Sequence, residues 1–388
     1  MKKTTRLILF LFIIVLSACS AAPAAQAPAE TMPATELRAF PIRFAQHFTL
    51  EYGEGYKKLT VLQPWAGASE PLTYLLVPRG EAAPTDAGNA LVIETPVRSF
   101  VAMSTTYYPF LEKFGKLDAL VAVDDATYAY NPQVRARAAD GSLALVGGGA
   151  SGGSVNVEKL LELNPDLIMT SASGSPELDA HPKLLEASLP VVINSDYLEQ
   201  SPLGRAEWGI FIAAFFDLEE QAAQDFDALV QRYEAAKKLT EALPEKVSVF
   251  TNTDYQGTWY VPGGESYAAL LLKDAGARYV FADQPGYGAA PLAFEAVFDA
   301  AKDADFWLNV GFASDLDSLL AMDARYAEFK AFAQGSVYNY NARVTDAGGS
   351  DYFESGVANP DIILKDLIRI FYPDLLPEHA LYYYQQLN

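Results

Sequence analysis

The stretch Asn156-Val-Glu-Lys-Leu-Leu-Glu-Leu-Asn-Pro-Asp-Leu-Ile-Met-Thr170 decides how this chain folds. Asn156 is a good helix N-cap, because its side-chain oxygen can accept from free amides of the first turn. Glu158 sits in that turn, where a carboxylate offsets the positive end of the helix. Val157, Leu160, Leu161 and Leu163 form an apolar stripe, and Asn164-Pro165 stops the helix. Asp166-Leu-Ile-Met-Thr170 then reads as a short strand covered on both faces. A weaker echo lies at Phe294-Glu-Ala-Val-Phe-Asp-Ala-Ala-Lys-Asp-Ala-Asp-Phe-Trp-Leu-Asn-Val-Gly311. There an early-helix glutamate again precedes an Asp-led apolar strand. One such unit implies an α/β domain, and two well-separated units imply two similar lobes.

Strand and helix signals alternate outward from both copies. In the first half, strands are expected at 99–103, 120–123, 143–146, 166–170 and 190–194, with helices at 107–114, 156–163 and 176–187. In the second half, strands are expected at 246–250, 279–281, 306–310 and 337–340, with helices at 266–274, 294–301 and 361–371. Residues 251–260 read as a loop. Strands alternating with helices imply mostly parallel sheets with covered faces. Between the halves, residues 202–243 carry one long helical pattern whose only glycine after Gly204 is Gly209. A helix of ~30 residues would reach ~45 Å, the scale of a whole domain. Two helices broken near Asp217 are the alternative. Ahead of the lobes, Phe48-Thr-Leu-Glu-Tyr52, Lys58-Leu-Thr-Val-Leu62 and Leu72-Thr-Tyr-Leu-Leu-Val77 are strand-like and punctuated by glycine and proline. The fold class is therefore α/β: two lobes with mostly parallel sheets joined by one long helix, preceded by a small antiparallel β segment. The expected boundaries are 40–95 for the β segment, 96–200 and 244–388 for the lobes, and 201–243 for the interlobe helix.

The amino terminus stands apart from this pattern. Lys2, Lys3 and Arg6 precede the apolar run Leu7-Ile-Leu-Phe-Leu-Phe-Ile-Ile-Val-Leu16, which reads as a secretory signal over residues 1–18. The run is short for a permanent membrane span. It ends in Leu16-Ser-Ala-Cys19, which resembles a bacterial lipobox. That resemblance implies cleavage before Cys19 and a lipid on its sulfur. Cys19 is the sole cysteine, so no disulfide can form within the chain. Residues 19–39, rich in Ala and Pro at their start, read as a tether. The formal charge of −21 makes nucleic acid a poor partner.

Catalytic motifs are missing. Gly147-Gly-Gly-Ala-Ser-Gly152 matches a dinucleotide fingerprint literally, but the acid that should end the next strand, Asp166, opens it instead. The run is read as a cleft loop. There is no phosphate-binding P-loop, no G-x-S-x-G elbow and no cysteine nucleophile. The three histidines, His47, His181 and His379, are scattered, which disfavours a site for a bare metal ion. Asp124-Asp125 is read as a solvated pair rather than an acid and base.

Aromatic and small polar residues do recur just past the strand ends. Ligands of open α/β sheets sit at the carboxyl ends of strands. The candidates are Thr105, Tyr107, Tyr108, Tyr128, Tyr130, Ser171, Ser173 and Tyr197 from the first half. The second half supplies Tyr255, Trp259, Tyr260, Tyr287, Arg343 and Tyr352. Such a lining suits a bulky, partly apolar ligand. With 22 Tyr and 22 Phe in the chain, fewer than half of these are expected to touch it.

Three runs carry a resemblance to a known family. They are Val155-Asn-Val-Glu-Lys-Leu-Leu-Glu-Leu-Asn-Pro-Asp-Leu-Ile168, Ser201-Pro-Leu-Gly-Arg-Ala-Glu-Trp208, and Asp351-Tyr-Phe-Glu-Ser-Gly356 with Asn359-Pro-Asp-Ile-Ile-Leu-Lys-Asp366. Together with the lipobox they resemble the ABC-transporter substrate-binding lipoproteins of the iron-siderophore and cobalamin class. The resemblance implies two lobes on one long helix with the ligand clamped between them, and no enzymatic activity. It implies a metal-chelate ligand: a ferric siderophore, or alternatively cobalamin or haem. It implies an ABC importer permease dimer as partner, met by one surface glutamate per lobe, here Glu158 and Glu295. No Ser, Asp or Asn caps the second of these helices, since Ala293 stands there. The resemblance also implies an exported protein, lipid-anchored on the outer face of the cytoplasmic membrane or in the periplasm. No resident cofactor or direct metal ligand is expected. An extracytoplasmic enzyme on the same two-lobe fold is the competing reading. Arg205 and Glu207 are read as orienting the interlobe helix.

Overall fold

The computed structural model describes residues 37–85, 87–148 and 154–388. The signal segment, Cys19 and the tether to residue 36 lie outside the described residues, as do residues 149–153 of the glycine run. Among the described residues, no helix is long and apolar enough to cross a membrane.

The deciding stretch folds as its residues dictate. Asn156 accepts from the Lys159 amide at 2.9 Å and caps the helix Val157–Leu163. Asn164 ends that helix in the left-handed conformation, φ 42°. Leu167–Thr170 follows as a strand buried at every position. Asp166 does not line a site. It accepts from the Arg98 amide (2.7 Å) and Arg79 (2.8 Å), and so ties the lobe to the amino-terminal sheet.

The first lobe has a five-stranded sheet in the spatial order Val191–Ile193, Leu167–Thr170, Phe100–Ala102, Leu120–Val123 and Ala144–Leu145, parallel throughout. The second lobe repeats the scheme with Arg278–Tyr279, Ser248–Thr251, Phe306–Leu308, Val337–Asn339 and Gln385–Gln386; only the last pairing is antiparallel. The echo at 294–311 is realised as the helix Phe294–Ala301 and the strand Phe306–Leu308. Its core is aromatic: Phe250, Trp259, Trp307 and Phe329 pack with ring centroids 4.9 to 6.2 Å apart. Dense aromatic burial of this kind dominates core energetics.

The interlobe segment departs from a single helix. Pro202–Ala214 is followed by a break and then by Glu219–Lys238. Asp217 at the break has φ 57°. The cause lies far off in sequence. Lys57, from the amino-terminal sheet, donates to the Ala214 carbonyl at the end of the first helix (2.8 Å). It also reaches Asp217 (2.7 Å) and Glu219 (3.0 Å) at the start of the second. One cation thus satisfies a helix C-terminus and the acids of the next N-terminus. Every residue of Pro202–Ala214 except Arg205 is buried, as a helix apolar on all sides requires.

The amino-terminal sheet runs in order Arg38–Ala39, Phe48–Gly53, Tyr56–Val61, Leu72–Pro78 and Leu91–Thr95. The first three pairings are antiparallel and the last is parallel. The segment is fixed to the interlobe helix by buried carboxylates. Glu207 accepts from the amides of Arg43, Phe44 and Ala45 at 2.7 to 2.9 Å. Glu199 accepts from the amides of Gln46 and His47, and from Trp208 Nε1 (3.0 Å). Phe48 packs on Trp208 with ring centroids 4.8 Å apart.

Residues 251–260, expected as a loop, build a further sheet. Asp254–Tyr255, Thr258–Pro262 and Ala289–Leu292 pair antiparallel. The hairpin turns on Gln256 and Gly257, both at positive φ (54° and 87°), the conformation a two-residue hairpin loop demands. The helix Pro132–Ala139 was also not expected.

Candidate functional site

The carboxyl ends of both sheets feed loops that border one cleft. On the first lobe, a cavity of about 540 Å³ is lined by Met103, Gly148, Thr170, Ser171, Ser173 and Tyr197, among others. Beside it a cavity of about 300 Å³ is lined by both lobes, with Tyr197 and Gln200 on one side and Asn252, Tyr260, Tyr267 and Tyr287 on the other. Tyr197 belongs to both. Its hydroxyl donates to the Ala172 carbonyl at 2.7 Å, which holds the ring between the two spaces. A third cavity, of about 510 Å³ around Trp65, Leu72, Tyr74 and Leu185, lies between the amino-terminal sheet and the first lobe and involves no second-lobe residue.

Five of the sequence candidates meet in the cleft: Ser171, Ser173, Tyr197, Tyr260 and Tyr287. Ser173 Oγ donates to Asp179 at 2.8 Å, which orders its loop. Three candidates are corrected. Tyr107 and Tyr108 are buried in the core beneath the first lobe, and Trp259 is buried in the second. Strand alternation explains the last: in Thr258–Pro262, Trp259 and Val261 face inward, so Tyr260 between them faces the cleft. Trp259 Nε1 donates to the Thr251 carbonyl at 2.9 Å.

The remaining candidates lie off these cavities. Tyr255 is exposed on the hairpin. Thr105 opens a 3-10 turn, Thr105–Tyr107, capped by Ser104. Tyr128 and Tyr130 lie on the other flank, where Arg343 sits 5.1 Å from the Tyr130 ring centroid and 4.2 Å from that of Tyr382. Arg343 is held by Asp351 at 2.6 Å. Tyr352 stacks on Tyr340 at 4.8 Å.

Several residues near the cleft were not among the ligand candidates. Arg205, the half-buried exception on its helix, lies 3.6 Å from Asp196 and 5.2 Å from the Tyr267 ring centroid. Asp124 ends the strand Leu120–Val123 and is buried, contrary to its reading as solvated. Its Oδ1 finds no hydrogen-bond partner among the described residues, and burial pushes its carboxyl up to about 6. Glu354 is buried opposite the first lobe, and burial lifts it to about 7. The Asp-x-x-Glu spacing of Asp351 and Glu354 was the available hint, since it puts both acids on one face of a turn.

Among the described residues, no cluster of three or more His, Cys, Asp or Glu could hold a metal ion. A ligand entering the cleft would meet tyrosines, amides and hydroxyls, with both nearby arginines already paired to aspartates.

Glu158 and Glu295 both stand exposed in the first turns of their helices. Glu295 lies 3.6 Å from Arg325, whose guanidinium covers the Phe294 ring at 3.6 Å.

A family model described as "Periplasmic binding protein" matches residues 101–344, more than half of the chain. A curated relative, the uncharacterized lipoprotein MJ0878 of Methanocaldococcus jannaschii, is 26% identical over 310 residues, covering 77% of this chain and 71% of the relative. Among solved structures, a possible iron-binding (periplasmic solute-binding) protein from Staphylococcus epidermidis aligns with TM-score 0.54 and 17% identity, covering 72% of this chain and all of that one. The periplasmic heme binding protein HutB of Vibrio cholerae aligns with TM-score 0.52 and 18% identity, covering 69% and 98%. At such identities the structural likeness speaks for the fold: two α/β lobes with parallel sheets.

Proposed function

The chain belongs to the periplasmic binding protein family, whose members bind solutes rather than transform them, and on that premise we propose that it captures a ferric siderophore between its lobes and delivers it to an ABC importer. The observation that carries this reading is Tyr197, which joins a first-lobe cavity to one walled by both lobes. Rigid aromatic rings with few polar contacts suit a bulky chelate. Arg205 and Arg343 already neutralise Asp196 and Asp351, so little free positive charge is left for a highly anionic catecholate. A neutral or weakly charged hydroxamate-type complex fits this lining better. Haem or cobalamin is the second reading, supported by the likeness to HutB.

In this proposal Glu158 and Glu295 dock into the permease dimer, each through a charge-assisted pair with an arginine of the partner. Cys19 carries the lipid that anchors the protein outside the cytoplasm, a reading supported by the name "lipoprotein" given to the relative. The test is native mass spectrometry and an absorption spectrum of protein purified from its own host, followed by titration of the stripped protein with a ferric hydroxamate, haem and cobalamin. A bound mass and colour matching a ferric chelate support the proposal. Haem or corrinoid bands select the second reading. Protein that binds none of the three overturns both.

A further inference from the structure

We propose that Glu354 is a clasp that fixes the lobes together on one flank of the cleft, so that opening is confined to the opposite flank, bordered by Tyr197, Tyr260 and Tyr287. Glu354 closes the second-lobe helix Asp351–Glu354. Its carboxylate crosses to the first lobe, where Oε2 accepts from the Tyr130 amide at 2.7 Å and Oε1 from the Asn131 amide at 2.8 Å. Asn131 is the N-cap of Pro132–Ala139, its Oδ1 accepting from the Gln133 and Val134 amides. The clasp therefore grips a helix start, where negative charge is favoured. The backbones meet at the same place. A Cβ on Gly349 would stand 2.7 Å from the Tyr128 carbonyl oxygen, so only glycine allows this approach. Arg343 adds its guanidinium over the Tyr130 ring.

On the other flank, Tyr197 and Gln200 face Tyr260 and Tyr287 across an open cavity. Two short hydrogen bonds on one side and a space on the other define a pivot. Burial is the main cause of the raised Glu354 carboxyl, the Tyr130 and Asn131 amides oppose it, and Asp351 and Glu112 add to it. Tyr108 also faces it, as does Arg343, which is paired to Asp351. The two amides of the clasp therefore favour the ionised carboxylate against the cost of its burial.

This pivot does not depend on which ligand is bound, and its test needs none. Amide hydrogen exchange on the full chain reads residues 128–131 against 197–200 and 286–289, with rates corrected for intrinsic exchange. In the wild type, 128–131 is the protected flank. Glu354→Gln, nearly isosteric but with one acceptor oxygen replaced by a donor, raises exchange at 128–131 by about tenfold or more and leaves the other flank unchanged. Should that variant lose its fold, Glu354→Asp, which withdraws the carboxylate by one methylene, takes its place with the same expected loss of protection. Unchanged protection at 128–131 in a folded variant overturns the proposal, as does wild-type exchange that is equally fast on both flanks.

Discussion

The guanidinium of Arg205 lies 5.2 Å from the ring centroid of Tyr267, joining the start of the interlobe helix to the first helix of the second lobe. The same side chain reaches Asp196 of the first lobe at 3.6 Å. One cation therefore touches both lobes, and its two contacts are separable by mutation. Arg205→Met is expected to lower stability by about 1–3 kcal/mol, because it strands a buried carboxylate. Tyr267→Leu removes only the ring. A double-mutant cycle by urea unfolding should return a coupling of about 0.5–1 kcal/mol. Coupling indistinguishable from zero would show that the pair is adjacent without interacting.

Lys57 is the second cation whose loss should be felt far away. Replacing it by Met leaves the buried Glu219 carboxylate without its closest partner and frees the Ala214 carbonyl. The expected loss is about 3–5 kcal/mol in urea unfolding. Adding Glu219→Gln should restore part of that loss. A double variant as unstable as Lys57→Met alone would mean the helix break does not need this pair.

Asp124 predicts a pH dependence. Its carboxyl is raised from 3.8 to about 6, mainly by burial. A group raised in the folded state contributes stability that is fully present below its unfolded value and lost as pH rises through the folded one. Relative to wild type, Asp124→Asn should therefore gain about 2–3 kcal/mol between pH 4 and pH 7. Urea unfolding across that range measures the difference. A variant that tracks wild type at every pH would place the ionised carboxylate in solvent.

The docking proposal separates transport from binding. Glu158→Ala and Glu295→Ala should each reduce uptake in cells while leaving the affinity of the purified protein for its ligand within about twofold, since both side chains are exposed and neither lines the cleft cavities. Normal uptake in the double variant would remove both glutamates from the importer contact.

The two-lobe plan was legible because it rests on local signals: the N-cap at Asn156, the stop at Asn164-Pro165 and the apolar runs that become central strands. The cleft was legible only in outline. Tyr197 sits where a loop past a strand end should place it, whereas Tyr260 lies within the strand Thr258–Pro262 and Tyr287 just ahead of Ala289–Leu292. Tyr107 and Tyr108 do not line the cleft, because their turn and helix pack inward, and aromatic residues carry no mark that separates core from rim. Trp259 and Tyr260 were separable in principle by strand alternation, once residues 251–260 are recognised as a hairpin on Gln256-Gly257. The break near Asp217 was legible as the alternative to one long helix, but its stabilisation was not, because the ammonium that holds it comes from Lys57. Glu354 likewise meets partners more than two hundred positions away.

The anchorage of residues 43–47 has a consequence for how this protein can diverge. Glu207 and Glu199 recognise that segment through five successive backbone amides, and an amide is the same in every residue but proline. Side-chain changes at 43–47 thus leave these amide bonds in place and act only through contacts such as Phe44 on Phe226 and Arg43 with Asp227, whereas a single proline there removes a donor and leaves a buried carboxylate short of a partner. The hold of the two glutamates on this junction therefore tolerates any sequence in the stretch except proline.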